Sequence, residues 1–249
     1  MCKKLYNRTM DEKIRINKYL SEAGICSRRE ADRMIEEGRI TVNGKKAESG
    51  QKVSLEDEVC ADNIPVHKNE KKVLLLFNKP RGIVCSTKQQ FDETTVTDYL
   101  DYPLRVYPVG RLDKDTEGLL IITNDGETAH RLLSPKKHVD KTYFVRTSGG
   151  EIGTEEVEKL ENGVDIGEEK LTLPAEIEIL KNGEISESLL TIREGKFHQV
   201  KRMFKAVGRE VIYLKRISMG NIKLDESLEK GECRKLSEDE IKIITGEKY

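Results

Sequence analysis

The chain has 249 residues, a formal net charge of −1, and equal shares of hydrophobic and charged side chains, 36% each. This suits one large domain or two smaller ones with a densely charged surface; with no Trp and only 5% aromatic residues, the core must rest on Ile, Leu and Val. No apolar run approaches the ~20 residues that span a bilayer, and the start Met1-Cys2-Lys3-Lys4-Leu5-Tyr6 has no apolar stretch for a signal peptide, so a cytoplasmic protein without a membrane partner is expected. The average charge hides a segregation. Lys13 to Lys52 carries ten Lys/Arg against six Asp/Glu, Arg193 to Arg216 eight against two, and Glu151 to Glu187 three against twelve. Two basic segments could therefore face one polyanion while the acidic segment faces solvent. The cysteines Cys2, Cys26, Cys60, Cys85 and Cys233 are scattered, with no C-x-x-C pair. They are expected to be reduced thiols, buried or idle, with no zinc site or disulfide framework.

Residues 1–12 are polar and read as a tail. Ile16, Leu20 and Ala23 fall at helical spacing before Gly24. Ser27-Arg28-Arg29-Glu30 reads as a capping box opening a second helix, with Ala31, Met34 and Ile35 on one face. Ile40-Thr41-Val42 is a strand, Asn43-Gly44 a tight turn with Lys45-Lys46 on the return, and Val53 to Val59 a further extended segment. Arg28 and Arg29 lie in a first helical turn, where free N–H groups favour phosphates; a solvated pair on a plain helical hairpin is the alternative. The run from Arg15-Ile16-Asn17-Lys18-Tyr19-Leu20 through Ser27-Arg28-Arg29-Glu30-Ala31 to Val42-Asn43-Gly44-Lys45 resembles the S4-like RNA-binding domain, here placed at 13–60. That resemblance implies binding of structured RNA.

Residues 61–72 are polar and read as a linker. A second domain, 73–249, then starts on Val73-Leu74-Leu75-Leu76-Phe77. Pattern predicts strands at 73–77, 118–123, 141–147, 172–180, 187–193 and 211–217. Helices are expected at 127–133, 154–162, 198–207 and 237–244, the last capped by Ser237 with Glu240 three residues on. Most segments follow one another as hairpins, so an α+β fold with a mixed, largely antiparallel sheet flanked by helices is expected.

Three stretches stand out chemically. Tyr107 to Gly118 contains Gly110-Arg111-Leu112-Asp113-Lys114-Asp115 before an apolar strand. Cations beside Asp113 would keep it ionised, as a nucleophile or base must be. A surface loop of ordinary ion pairs is the plainer reading. A third would use Asp113, Asp115 and Asp125 as magnesium ligands, against which the intervening Lys and Arg weigh. The second stretch is Lys141-Thr142-Tyr143, where Tyr143 is either a half-buried strand residue or a stacking platform for an extruded base. The third runs from Glu194 to Phe204, where a helix near His198 buries Val200, Met203, Phe204 and Val207 and presents cations on its other face.

Asn78-Lys79-Pro80-Arg81-Gly82, Gly110-Arg111-Leu112-Asp113, Lys141-Thr142-Tyr143 and His198-Gln199-Val200-Lys201-Arg202-Met203 occur in that order behind the S4-like segment. Together they resemble the RsuA-type family of bacterial ribosomal RNA pseudouridine synthases. The resemblance implies a catalytic set of Asp113, Tyr143 and Lys201. Asp113 would attack the uridine, so that the base detaches, rotates and rejoins through carbon. Tyr143 would pack on the base, and Lys201 would pair with the aspartate. Arg111 would fill the gap left by the flipped nucleotide. Arg28, Arg29, Lys45, His198, Gln199 and Arg202 complete the RNA-contacting set, while Lys79 and Pro80 look structural. No metal, redox partner or small-molecule cofactor is implied, and a monomer acting on ribosomal RNA or a subunit assembly intermediate is expected. Ser134-Pro135-Lys136-Lys137-His138 through Tyr143, with the His198 stretch, points to 16S RNA; Ser21 through Asp32 also suits 23S enzymes. A non-catalytic ribosome-assembly factor on the same fold is the alternative.

Overall fold

The computed structural model describes residues 13–67, 71–86, 92–133 and 139–245. They divide into two compact units between Lys72 and Val73, except that Pro103–Arg105 group with the first.

The first unit opens with strand β1 (Ile14–Arg15), then helices α1 (Ile16–Glu22) and α2 (Arg28–Glu36). Ser27 Oγ accepts from the Glu30 N–H at 3.2 Å, satisfying one of the free donors of the first turn of α2. Four short strands follow: β2 (Ile40–Val42), β3 (Lys45–Lys46), β4 (Lys52–Val53) and β5 (Val59–Ala61), with β6 (Ile64–Pro65) after them. They pair as β3-β2-β5-β6 and β1-β4. Asn43 at φ 51° and Gly44 at φ 76° make the left-handed turn that the Asn-Gly pair predicts. Ile16, Leu20, Ala31, Ile40 and Val53 are at most 1% exposed and form the core.

Two expectations fail here. Val53 to Val59 is not one extended piece. Asp57 Oδ2 takes hydrogen bonds from the Ser54 N–H and Oγ, closing a turn. Nor does a linker begin at residue 61. Ala61 pairs with Ile64 across a turn at Asp62-Asn63 (φ 49° and 65°), and buried Val66 belongs to this core. The stretch resembles a linker because both faces of this edge hairpin are polar outside those few apolar contacts.

The second unit is built on a nine-stranded sheet in the order β11-β12-β10-β13-β9-β7-β15, with β14 on β13 and β8 on β9. Its strands are β7 (Leu74–Lys79), β8 (Tyr107–Val109), β9 (Glu117–Thr123), β10 (Lys141–Ser148), β11 (Glu176–Lys181), β12 (Ile185–Ile192), β13 (Glu210–Met219), β14 (Ile222–Lys223) and β15 (Cys233–Lys235). Its helices are α3 (Val96–Leu100), α4 (Gly126–Leu133), α5 (Thr154–Asn162), α6 (Gln199–Ala206) and α7 (Glu238–Thr245). Every ladder is antiparallel except β9 with β13, so the sheet is mixed and largely antiparallel.

All of β7 and β9 is buried, as continuous apolar runs require when both faces of a central strand are covered. Leu119 to Ile122 are each 0% exposed, and burying side chains of this kind contributes about 1.5–3 kcal/mol apiece. Gly118, at φ 99°, permits the parallel pairing, since a Cβ there would lie 2.2 Å from the Arg216 carbonyl oxygen.

The strand expected at 172–180 starts at 176, because Pro174 has no N–H to give to a ladder. The sequence pattern does not show α3, capped by Thr95 with Asp98, or the short strands β8, β14 and β15. Ser237 Oγ accepts from the Glu240 N–H at 3.2 Å, as expected for the last helix.

Glu117 gives this unit an acid-sensitive tie. Its side chain is 5% exposed and meets Lys230 Nζ at 2.9 Å and the Tyr213 hydroxyl at 2.7 Å. Burial raises its carboxyl, but the bonds from Lys230 and Tyr213 outweigh this and hold it below the ordinary glutamate value. A lowered folded pKa gives stability that is present above the unfolded value and lost as pH falls through the folded one. The melting temperature is therefore expected to drop below about pH 4, and Glu117→Gln to flatten that limb. Parallel acid limbs for the two proteins would contradict this.

Candidate active site

The site lies in the second unit, where the 110–116 loop, β10, α6 and β13 surround a cleft of about 630 Å³. The loop is anchored from below. Lys79 ends β7 at 0% exposure, and its Nζ donates to the carbonyls of Pro80 (3.0 Å), Asp113 (3.1 Å), Lys114 (3.4 Å) and Thr116 (3.0 Å). Burial pushes the Lys79 ammonium below its ordinary value. Cys85, one of the thiols expected to be buried or idle, accepts from the Leu112 N–H at 3.3 Å, and burial pushes its thiol up. These contacts fix the backbone on both sides of Asp113.

The Asp113 carboxylate is 26% exposed and faces α6, with Lys201 Nζ at 3.3 Å and His198 Nε2 at 3.5 Å. Lys201 also binds Asp115 at 2.5 Å, bridging the two carboxylates. Burial raises the Asp115 carboxyl, but the Lys201 bond outweighs this and keeps it ionised. The third aspartate of the magnesium reading is elsewhere. Asp125 is buried at the start of α4, bonded to Thr128 Oγ1 at 2.7 Å and the Glu127 N–H at 3.1 Å. No group of three metal-ligating side chains exists among the described residues.

Helix α6 forms because Val200, Met203 and Phe204 recur at helical spacing and are buried, which leaves Lys201 beside the loop. Its start is unusual. His198 is left-handed (φ 47°, ψ 36°), a conformation that costs a non-glycine residue roughly 1 kcal/mol or more. It holds the imidazole stacked on Phe197, with ring centroids 3.8 Å apart. Phe197 is 67% exposed at the cleft, a large aromatic that the sequence pattern alone does not single out. Its adjacency to the His-Gln motif is the one available signal.

Tyr143 on β10 is 8% exposed and lines the cleft, as do Arg111, His198 and Gln199. Arg111 is exposed. Gln199 is 4% exposed with its amide committed, donating to Glu194 at 2.7 Å and accepting from the Lys196 N–H at 2.9 Å, so it shapes the loop before α6. Arg202 turns away from Asp113 to Glu168 and to the carbonyls of Phe197 and Ile166. Arg193 and Arg209 of the same basic segment pair with Glu176 and Glu156. The acidic segment thus neutralises part of the basic one, against the expectation that it faces only solvent. Arg28, Arg29 and Lys45 are exposed in the first unit. Ser134 to His138, on which the 16S expectation partly rests, lie outside the described residues.

The model of the RNA pseudouridylate synthase family matches residues 73–206 and that of the S4 domain residues 14–59. The chain is 42% identical to ribosomal large subunit pseudouridine synthase B of Bacillus subtilis, over 92% of this chain and 95% of the relative. It is 39% identical to ribosomal small subunit pseudouridine synthase A of Pasteurella multocida, over 92% of this chain and 98% of that one. A crystal structure of a pseudouridylate synthase superposes with a TM-score of 0.69 at 37% identity, covering 93% of this chain and all of the other. The chain belongs to the RNA pseudouridylate synthase family and carries an S4 domain ahead of the synthase fold.

Proposed function

We propose that this protein converts a specific uridine of 16S ribosomal RNA to pseudouridine, with Asp113 as nucleophile. The observation that carries the reading is the ionic contact of Asp113 with Lys201 at 3.3 Å, in a cleft also lined by Tyr143. Lys201 pairs with the attacking oxygen and aims it. Tyr143 offers a ring for a base taken out of its stack, and Arg111, exposed beside the cleft, fills the space the base leaves. The S4 domain, through Arg28, Arg29 and Lys45, selects the RNA region. The 16S assignment rests on the residues around Tyr143 and on the His198–Met203 motif. A 23S substrate is the second reading, which the segment Ser21 through Asp32 also suits.

Incubating the purified protein with 16S and 23S transcripts and assembly intermediates, then mapping pseudouridine, decides between them. Product in 16S RNA alone is expected, and product confined to 23S RNA selects the second reading. No product on any ribosomal RNA, with binding retained, would leave a non-catalytic assembly factor.

Phe197 supplies a separate test. An exposed aromatic at the cleft of an RNA enzyme is placed to stack on a base neighbouring the target. Phe197→Ala is expected to weaken RNA binding by about 1–3 kcal/mol, with Phe197→Tyr near wild type, in fluorescence anisotropy. Equal affinity of all three proteins would remove Phe197 from the RNA surface.

A further inference from the structure

Arg216 is a buried cation at this cleft that the mechanism above leaves unused. It is 2% exposed and lies among the residues lining the cleft. It stands opposite Tyr143 in the β10–β13 register, so the two side chains share one face of the sheet. Its Nε donates to the Leu119 carbonyl at 2.8 Å, while its Nη2 is buried with no hydrogen-bond partner. The charged neighbour on this face is another cation, Lys141, whose Nζ donates to the Val139 carbonyl at 2.8 Å. Burial, and then the Arg216 charge, press the Lys141 ammonium below its ordinary value. This face thus holds two neighbouring cations, one with a buried unpaired donor, in a cleft that the Asp113 and Glu194 carboxylates also line, a costly arrangement in the resting protein.

Such an arrangement suits negative charge that arises during the reaction. When an Asp113 oxygen bonds to C1′ of the uridine, the C1′–N1 bond breaks and its electron pair stays on the base. The uracil anion spreads that charge over N1, O2 and O4. After rotation, C5 bonds to C1′ and the Asp113 oxygen leaves with its pair; C5 then loses its proton while N1 gains one, so the sum is an isomerisation. Neither substrate nor product carries the charge. A cation fixed in advance therefore favours the intermediate over both.

We propose that Arg216, with Lys141 beside it, stabilises the uracil anion formed when the glycosidic bond of the target uridine breaks. The proposal rests on the reading of this cleft as a uridine site with Asp113 as nucleophile.

The test uses the full chain in single-turnover reactions on an RNA that the wild type modifies. Arg216→Gln is expected to lower the rate by about 100-fold with RNA affinity unchanged, and Arg216→Lys to lose less. With 6-azauridine at the target position, the additional ring nitrogen makes the base a more stable anion, so the Gln deficit should shrink. An equal deficit on both substrates, a loss confined to affinity, or a full rate for Gln would overturn the role. If Gln does not fold by circular dichroism, the Lys variant carries the same two-substrate comparison, and the same outcomes support or overturn the role. A wild type inactive on every ribosomal RNA defeats the underlying reading as well. An active wild type with an undisturbed variant defeats only the assignment to Arg216.

Discussion

Asp113→Asn is expected to abolish pseudouridine formation, lowering the rate on the order of 10⁴-fold or more, while RNA binding persists. The substitution keeps the size and planarity of the side chain but removes the charge that Lys201 and His198 face at 3.3 and 3.5 Å. An amide is a poor nucleophile, and the neighbouring carboxylate cannot take over. Asp115 is tied to Lys201 at 2.5 Å and its side chain is 64% exposed. The backbone around position 113 is held by Lys79 and by Cys85, so the loop should survive the change. Rate measured by pseudouridine mapping and affinity by filter binding separate the two effects. An Asp113→Asn protein with a rate within tenfold of wild type would remove Asp113 from the chemistry.

The second large effect is expected at Lys79. Lys79→Met fits the same buried channel but leaves the carbonyls of Pro80, Asp113, Lys114 and Thr116 without their shared donor. The Asp113 and Lys114 carbonyls keep the N–H groups of Thr116 (3.1 Å) and Gly82 (2.8 Å), so the loss falls chiefly on the carbonyls of Pro80 and Thr116; unmade hydrogen bonds are expensive there, and bonds to a charged donor are the stronger kind. Some cost is returned, because the buried ammonium was itself poorly solvated and its pKa is held down by burial. The balance is a destabilisation of about 2–4 kcal/mol in urea titration, with a further loss of rate at temperatures where the variant is folded. A variant as stable and active as wild type would mean that the 113–116 loop holds its shape unaided. Lys79 is thus a positioning residue: its Nζ reaches the main chain of Asp113, and the carboxylate faces Lys201.

Much of the fold is legible in the sequence because its signals are local. Alternation and apolar runs mark β7, β9, β10, β12 and β13, and spacing marks α4 to α7 within one or two residues. Ser27, Ser237 and Asn43-Gly44 mark caps and a turn through hydrogen bonds that span three or four residues. The misses have equally local causes. Two-residue strands such as β6 and β14 show no period, Pro108 obscures β8, and Pro174 delays β11. The polar hairpin at 61–65 has the composition of a linker and is a strand pair only because β5 offers it an edge.

A nearly neutral, highly charged chain has no obvious partner by its average charge, and the four ordered motifs behind an S4-like segment supply what that average hides. By itself the sequence determined the family, the division of labour between an RNA-binding part and a synthase part, and Asp113, Tyr143 and Lys201 as candidates on three separate segments. Only the tertiary structure decided the partners of those candidates. Parallel pairing of β9 with β13, permitted by Gly118, brings the Asp113 loop, Tyr143 and α6 to one cleft. The same packing gives Lys201 to two carboxylates, commits Arg202 to Glu168, fixes Gln199 in the loop before α6, and leaves Arg216 with an open donor. Residue type states which bonds a polar side chain can make. Which of them it makes depends on the carbonyls and carboxylates that remain unpaired once distant strands have closed around it.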